Sequence, residues 1–228
     1  MPISFIIPTY NESELIAKTL YRLSSLAEPG DEIIVVDGFS KDGTRGIIEN
    51  FPGVKMLSCK TGRAFQMNRG AQEAVGEYLL FLHADIKLSK SCINRLRWEI
   101  KTKEPKWGWF SLRLDSPKLV FRIIEIGANL RVKMSGIPYG DQGIFVRKDI
   151  FTEVGGYPEV PIMEDIEFAK KLKSISEGIR INTPIEASVR RFEKCGVLKT
   201  VYMMWLLRAL YYLGMSPSRL VRYYKNIR

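Results

Sequence analysis

Short apolar runs alternate with segments of helical periodicity over the first third of the chain. Four of the runs are predicted as strands, at residues 3–7, 32–36, 54–58 and 78–82. Three segments between them place apolar residues on one helical face, at residues 15–23, 44–50 and 62–75. Strands and helices that alternate at this spacing predict an α/β fold with a mostly parallel open sheet flanked by helices.

The later part of the chain continues with longer helices. Helices are predicted at residues 89–100, at 119–134 and from 163 to about 173, and strands at 107–114 and 144–147. The helix at 119–134 is predicted to be basic and amphipathic. Asn11 or Ser13 is the candidate N-cap of the first helix, since short polar side chains accept hydrogen bonds from its free N–H groups.

Two carboxylates come directly after predicted strands. Asp37 follows the second strand, and Asp85 follows the fourth, just after His83, the only histidine. Ligands bind at the carboxyl ends of parallel strands, so Asp37 is placed to bind a ribose or a base. The chain has no dinucleotide or P-loop glycine motif. Asp85 suits Mg2+ or Mn2+ shared with phosphate oxygens, and the alternative is an ordinary turn aspartate.

Two further polar clusters lie in the second half of the chain. Asp141 and Gln142 stand between two glycines in residues 140–143, which suggests a backbone that passes close to a ligand; a plain turn is the alternative. Glu164 and Asp165 open a predicted helix. The helix dipole alone favours carboxylates there, and the functional alternative is that one of them is a general base.

Composition limits the classes of protein and partner. The chain has 228 residues, 46% of them hydrophobic, enough for one large domain or two small ones. The net charge of +10 favours an anionic partner, either a phosphate-bearing ligand or an acidic lipid surface. Nucleic acid is not expected, because no nucleic-acid-binding motif is present. Three scattered cysteines and the lack of a signal peptide predict a reducing, cytoplasmic location.

Residues 197–215 are mostly apolar and are interrupted by Lys199 and Arg208. A charge near the middle argues against a transmembrane helix. Aromatic and basic residues together suit a helix lying on the inner face of the cell membrane. The alternative is a helix packed on the domain or on a second subunit of a homodimer, and both interpretations stay open.

Several motifs occur in the order found in glycosyltransferase family 2, and the chain resembles that family over about residues 1–190. They are residues 6–12 (IIPTYNE), 35–44 (VVDGFSKDGT), 68–70 with 76–78, 82–85 (LHAD), 140–143 (GDQG) and 164–165. Small members with a His-Ala-Asp motif look like this chain. The resemblance implies a GT-A domain at 1–190. The residue pattern beyond it predicts a basic, aromatic and amphipathic helical tail at 191–228.

The resemblance also assigns roles to residues. It implies that the nucleotide sugar is held by Pro8, Thr9, Tyr10, Glu12, Asp37, Arg63, His83, Ala84 and Asp85. His83 stands where the family has the first carboxylate of Asp-x-Asp, so Asp85 is the expected metal ligand. Asp165, beside Glu164, matches the general base. Asp141 and Gln142 lie on the acceptor side.

A second departure concerns residues 188–192, where processive members carry Gln-x-x-Arg-Trp. Only Arg191 of that motif remains, which argues against processive synthesis, and Arg190 and Arg191 are expected to clamp the departing diphosphate. The implied reaction is inverting transfer of a sugar from a UDP- or GDP-linked donor to a hydroxyl or lipid phosphate, assisted by Mn2+ or Mg2+. The alternatives are a nucleotidyltransferase on a related fold and a non-catalytic membrane-surface protein.

Overall fold

The computed structural model describes residues 1–224. Eight strands form one sheet: β1 Ile3–Thr9, β2 Glu32–Asp37, β3 Val54–Ser58, β4 Tyr78–Phe81, β5 Ile86–Lys87, β6 Trp107–Leu114, β7 Ile144–Arg147 and β8 Ile179–Ala187. The helices are α1 Ile16–Leu26, α2 Thr44–Glu49, α3 Arg63–Glu73, α4 Lys90–Lys103, α5 Leu119–Ser135, α6 Lys148–Glu153, α7 Glu164–Ile175, α8 Arg190–Cys195, α9 Val197–Tyr212 and α10 Pro217–Tyr224. A 3-10 turn covers Gly140–Gln142. Residues 225–228 of the predicted tail lie outside the described residues.

The strand order is β3-β2-β1-β4-β7-β6-β8-β5. The first four strands are parallel, β7 runs antiparallel to both β4 and β6, and β8 is parallel to β6. The predicted mostly parallel sheet is confirmed. Thr9 pairs with Asp37 and Ile6 with Phe81, so β1, β2 and β4 end at the same edge.

Side chains of β1, β2 and β4 alternate between two buried layers, as the pleat of a strand requires. Phe5, Val35 and Leu80 face one layer, which α1, α4 and α5 cover. Ile6 and Phe81 face the other, which is covered by α3, α6 and α7. Helices on both sides explain why these strands are continuous apolar runs.

Several predicted details are wrong or incomplete. Neither Asn11 nor Ser13 caps α1; the carbonyl of Glu12 accepts from Ile16 instead, and Asn11 has a φ of +54°. Strand β8 was not predicted, because Pro184 and polar residues interrupt its apolar pattern. It nevertheless forms, since its alternate residues pack into the core beside β6.

Helix α5 is not the basic amphipathic helix that its composition suggested. Arg122 turns inward and donates to the carbonyl of Leu114 at 2.8 Å, and the buried Glu125 accepts the N–H of Leu114 at 2.5 Å. The exposed positions are apolar instead, among them Ile123 and Leu130. Arg122 and Glu125 thus serve the end of β6 and the loop that follows it, and several apolar residues of α5 face outward.

The three C-terminal helices pack on the sheet domain. Phe192 of α8 contacts Phe121 of α5 with ring centres 5.6 Å apart. Leu207 and Leu220 are buried with Ile162 in a separate small cluster. Helix α9 is apolar on both its buried and its exposed side, so the predicted amphipathic character holds only for α10. None of the helices within residues 1–224 combines the length and apolar character that a membrane span requires.

Gly108 tests the packing between β6 and its neighbours. A Cβ at this position would overlap the carbonyl oxygen of Ile179 and lie 2.5 Å from Cζ of Phe145. Gly108→Ala is therefore expected to lower the free energy of unfolding by about 1–3 kcal/mol, as overpacked cores do. Chemical denaturation measures the change.

Gly46 provides the matched control, because nothing lies within 4 Å of a Cβ built there. Gly46 is exposed inside α2, so Gly46→Ala should be neutral or stabilise the protein by up to about 1 kcal/mol. Equal stability of the two variants would contradict the packing described for β6.

Candidate active site

The site forms where β1, β2 and β4 end. Asp37 is fully buried at the end of β2, and its Oδ2 accepts the N–H of Ser40 at 2.9 Å. Its buried Oδ1 has no hydrogen-bond partner within residues 1–224. Because a buried acceptor without a donor is costly, this oxygen suits a donor supplied by a bound ligand.

A first cleft opens beside these strand ends. Its lining comprises Pro8, Thr9, Tyr10, Glu12, Arg63, Gln66, His83, Ala84 and Asp85. Eight of these nine residues were predicted from the sequence to hold a nucleotide sugar. Asp37 adjoins this cleft through Thr9, its partner in the sheet.

Gln66 was missed by sequence reasoning. Its buried Nε2 donates to the carbonyl oxygens of Thr9 at 2.7 Å and Val36 at 2.8 Å, and so ties α3 to the ends of β1 and β2. The signal was present, since Gln66 is a polar residue next to Ala64 and Met67 on the buried side of the helix.

Three loops at the site contain non-glycine residues with positive φ. Asn11 follows β1, Phe39 follows β2, and Met163 precedes α7, with φ values of 54°, 62° and 67°. Such backbone conformations are costly for residues with a Cβ and concentrate at functional sites. The residues directly after Asn11 and Met163 line the clefts, and the residue after Phe39, Ser40, donates its N–H to Asp37.

Arg190 adjoins the first cleft through its ion pair with Glu12. Its guanidinium lies 2.9 Å from Oε2 of Glu12 and 3.5 Å from Oε2 of Glu14, although 178 residues separate it from Glu12. Burial opposes the effect, but Glu12 and then Asp85 raise the pKa of Arg190 above its usual value. Arg190 therefore stays charged near Asp85, while Arg191 is half-buried on the same helix.

The residues around Asp85 fit a divalent cation that is shared with a ligand. Within residues 1–224 no group of three or more His, Cys, Asp or Glu side chains is arranged to hold a metal by itself. Asp85 offers a hard oxygen ligand in the cleft, and Asp85 and Asp165 both act electrostatically on Asp141. A cation would relieve this concentration of negative charge, and phosphate oxygens would complete its coordination.

A second cleft shares His83 with the first, but in this structure it encloses no space wide enough for a water molecule. It is lined by Met67, Phe81, His83, Gly140, Ile144, Tyr157, Glu164 and Asp165. Oδ2 of Asp165 accepts the N–H of Gly140 at 2.7 Å, and Glu164 lies 3.8 Å from Arg63. Glu164 is buried and Asp165 is partly exposed, so Asp165 is the better placed of the two to meet an acceptor.

The turn at residues 140–143 brings its backbone close to His83. A Cβ on Gly140 would lie 2.6 Å from Nε2 of His83, so only glycine lets the turn approach the imidazole. Gly143 has a φ of +58°. The close backbone contact therefore joins the two clefts at His83.

Gln142 has one buried polar atom, Nε2, that has no hydrogen-bond partner within residues 1–224. Its side chain is fully buried, and its Oε1 accepts from the N–H of Tyr139 and from Arg131, each at 3.3 Å. The guanidinium of Arg131 lies 3.4 Å from the ring centre of Tyr139. Gln142 therefore orders the turn that carries Asp141, and Arg131 was not anticipated as its partner.

Asp141 is a carboxylate of the site whose pKa is strongly raised. Burial raises its pKa to about 6 from a usual value of 3.8; Arg131 opposes the rise, and Asp165 and Asp85 add to it. A carboxyl whose pKa is higher in the folded state favours folding at low pH. Its contribution to stability is complete below about pH 4 and is lost as the pH rises through about 6.

We therefore expect Asp141→Asn to gain stability over the unmodified protein as the pH rises. Without divalent cations, the difference in melting temperature should move in favour of the variant by several degrees between pH 4 and pH 8. The size of this shift follows because 1 kcal/mol in the free energy of unfolding changes the melting temperature of a chain of this size by about 2–4 °C. Thermal unfolding followed by circular dichroism measures it.

Asp149→Asn is the control with the opposite sign. The hydrogen bond from Arg147 lowers the pKa of Asp149 below its usual 3.8, so this variant should lose stability relative to the unmodified protein as the pH rises to about 5, and should change little from there to pH 8. If both variants shift in the same direction, the environment described for Asp141 is wrong.

Comparison with known proteins identifies the family. Residues 4–127 match the model described as Glycosyl transferase family 2. Poly-beta-1,6-N-acetyl-D-glucosamine synthase of Staphylococcus epidermidis is 35% identical over 187 residues, which are 75% of this chain and 45% of that protein. The probable glycosyltransferase YdaM of Bacillus subtilis is 26% identical over 203 residues, covering 78% and 48%. The chain thus spans less than half the length of these two relatives.

Solved structures share the fold. TarS of S. aureus in complex with UDP-GlcNAc aligns with a TM-score of 0.66 at 20% identity, over 82% of this chain and 58% of that one. The mannosyltransferase PcManGT of Pyrobaculum calidifontis, in complex with GDP-Man and Mn2+, aligns with a TM-score of 0.61 at 20% identity, over 99% and 69%. The predicted GT-A type of fold is confirmed. Because the family model covers more than half of the 228 residues, the chain belongs to glycosyltransferase family 2.

Proposed function

We propose that this protein transfers a sugar from a nucleoside diphosphate sugar to an acceptor, with inversion at the anomeric carbon. The observation that carries the proposal is the pair of clefts joined at His83. The first contains most of the predicted nucleotide-binding residues, and the second contains Asp165. A donor in the first cleft and an acceptor that approaches Asp165 would meet at this junction.

The nucleotide side has the chemistry that such a donor needs. The unpartnered Oδ1 of Asp37 suits a base or ribose donor. Tyr10 is partly exposed and offers a ring surface for a base. Arg63 and Arg190 bring positive charge to the cleft for the diphosphate. The neighbouring Arg191 is proposed to assist Arg190 in holding the departing diphosphate.

The transfer itself is a single displacement. The acceptor oxygen forms a bond to C1 of the sugar while the bond from C1 to the diphosphate oxygen breaks, and the electron pair leaves with the diphosphate. A carboxylate oxygen of Asp165 takes the proton of an acceptor hydroxyl. A phosphate acceptor is already ionised and would not need this base. Asp141 and Gln142 are proposed to support the acceptor side, and Gln142 also orders the turn that carries Asp141.

A divalent cation, Mn2+ or Mg2+, would be held by Asp85 together with the diphosphate. When bound, it neutralises the charge that develops on the leaving group. Because His83 replaces the first carboxylate of the family's Asp-x-Asp motif, Asp85 is the proposed protein ligand of the cation. PcManGT, which shares the fold, was solved with GDP-Man and Mn2+, and this supports the proposal.

Two alternative functions differ from sugar transfer in the product that they would release. A nucleotidyltransferase would release pyrophosphate instead of a nucleoside diphosphate, and a non-catalytic protein would release neither. The retention of Asp37, Asp85 and Asp165 around one site favours catalysis. We further propose that the protein is cytoplasmic and transfers one sugar at a time. Residues 197–215 would contact either the membrane or a second subunit of a homodimer.

Turnover of defined donors tests the function and the base together. With Mn2+, the protein is expected to release UDP from UDP-GlcNAc or GDP from GDP-mannose, slowly when water is the acceptor. Asp165→Asn should lower this rate by about 100-fold or more, because loss of a general base has that scale. Its affinity for the nucleoside diphosphate should stay within about threefold, since the change is under 1 kcal/mol.

Glu167→Gln is the matched control on the same helical turn, because Glu167 pairs with Lys170 at 3.1 Å instead of facing the cleft. It should turn over like the unmodified protein. Full turnover by Asp165→Asn would refute the base assignment. Pyrophosphate release, or no release from any donor, would refute sugar transfer itself.

Asp85→Ala is expected to weaken nucleoside diphosphate binding at least about tenfold when Mn2+ is present, because one of the few cation ligands is lost. Without Mn2+ the change should be small. Asp115→Ala, which removes an exposed carboxylate paired with Lys87, is the control. Titration calorimetry gives both affinities, and an unchanged Mn2+ dependence in Asp85→Ala would end the proposed role of Asp85.

A further inference from the structure

The outward side of α5 is unusually apolar. Leu119, Ile123, Ile126, Leu130 and Met134 follow one another at helical spacing, and each is more than half exposed, with Ile123 at 70%. Glu125, the only carboxylate of the helix, is buried. Single exposed apolar residues are ordinary, but a continuous stripe of five marks a surface that something covers.

Helix α9 carries a second stripe of the same kind. Leu198, Tyr202, Trp205, Tyr212 and the adjoining Leu213 are exposed, with Leu198 at 84% and Trp205 at 66%. The opposite side packs on the domain through Val201, Met204 and Leu207. The helix sequence contains no carboxylate. Packing against the domain therefore accounts for only one side of α9.

The two helices are fixed to one another. Phe121 at the start of α5 contacts Phe192, just before α9, and Ile124 and Val201 pack on the same core cluster. Near the other ends of the helices, Arg131 and Arg208 both lie over the ring of Tyr139, at 3.4 and 5.8 Å from its centre. The two stripes are therefore carried by one rigid part of the molecule.

We propose that the outward sides of α5 and α9 together form a docking surface for an anionic lipid membrane. The charges favour lipid over a second copy of the chain. The only charged side chains that interrupt the two stripes at exposed positions are Lys133 and Lys199. A second copy would bring lysine towards lysine, whereas anionic headgroups attract both.

The side-chain types agree with this assignment. Trp205, Tyr202 and Tyr212 have an apolar ring with a polar group, the combination that favours the boundary between headgroups and acyl chains. The net charge of +10 adds a long-range attraction to an acidic surface. The inference extends the contact proposed for residues 197–215 to α5, and it does not depend on which reaction the cleft performs.

Vesicle flotation of the 228-residue chain tests the surface. The protein should bind phosphatidylcholine vesicles that contain phosphatidylglycerol, bind pure phosphatidylcholine more weakly, and lose affinity at high salt. Ile126→Ser on α5 and Trp205→Ser on α9 should each weaken binding, and the double variant should lose at least about tenfold. Val75→Ser removes an equally exposed apolar side chain far from both helices in sequence and should bind normally.

Thermal unfolding of each variant establishes that it folds, and light scattering after size exclusion gives its mass. Three results would overturn the proposal. They are no binding to either vesicle, binding that depends on α9 but not on α5, or a dimer of the unmodified protein that Ile126→Ser or Trp205→Ser dissociates. The last result would assign the surface to a second copy.

Discussion

The parallel pairing of β1 with β2 on one side and β4 on the other is the constraint on which the site depends. Hydrogen bonding in this register brings the three carboxyl ends to one edge, with Thr9 beside Asp37 and Phe81 near them. The strands are stable there because both of their faces are buried. The side chains that follow each strand, including Asp85, are distant in sequence and consequently lie in one region of the molecule.

The antiparallel strand β7 adds the second half of the site. It pairs with β4, and the turn that precedes it comes close enough to His83 that Gly140 has no room for a side chain. The N–H of Gly140 then binds Asp165 at 2.7 Å. One close backbone approach thus connects the parallel part of the sheet, the proposed acceptor side and the start of α7.

The charges of the site are balanced by residues from distant parts of the chain. Arg190 pairs with Glu12, Arg63 lies near Glu164, and Arg131 counters the burial of Asp141. The same C-terminal region that supplies Arg190 continues into α9, whose outer side is apolar. The cleft and the proposed membrane surface are therefore linked through one short stretch of helices.

The sequence by itself determined the alternation of strands and helices, the parallel edge and the positions of Asp37 and Asp85, because periodicity and strand-end carboxylates are local signals. Most other residues of the first cleft followed from motifs that resemble glycosyltransferase family 2. It did not determine the roles of Gln66, Gln142 and Arg131, since these side chains bond to backbone and partners distant in sequence. Nor did it reveal which side of α5 faces solvent. Only the tertiary structure decided that Arg122 and Glu125 turn inward to Leu114 while Ile123 turns outward, because burial depends on what packs against a helix.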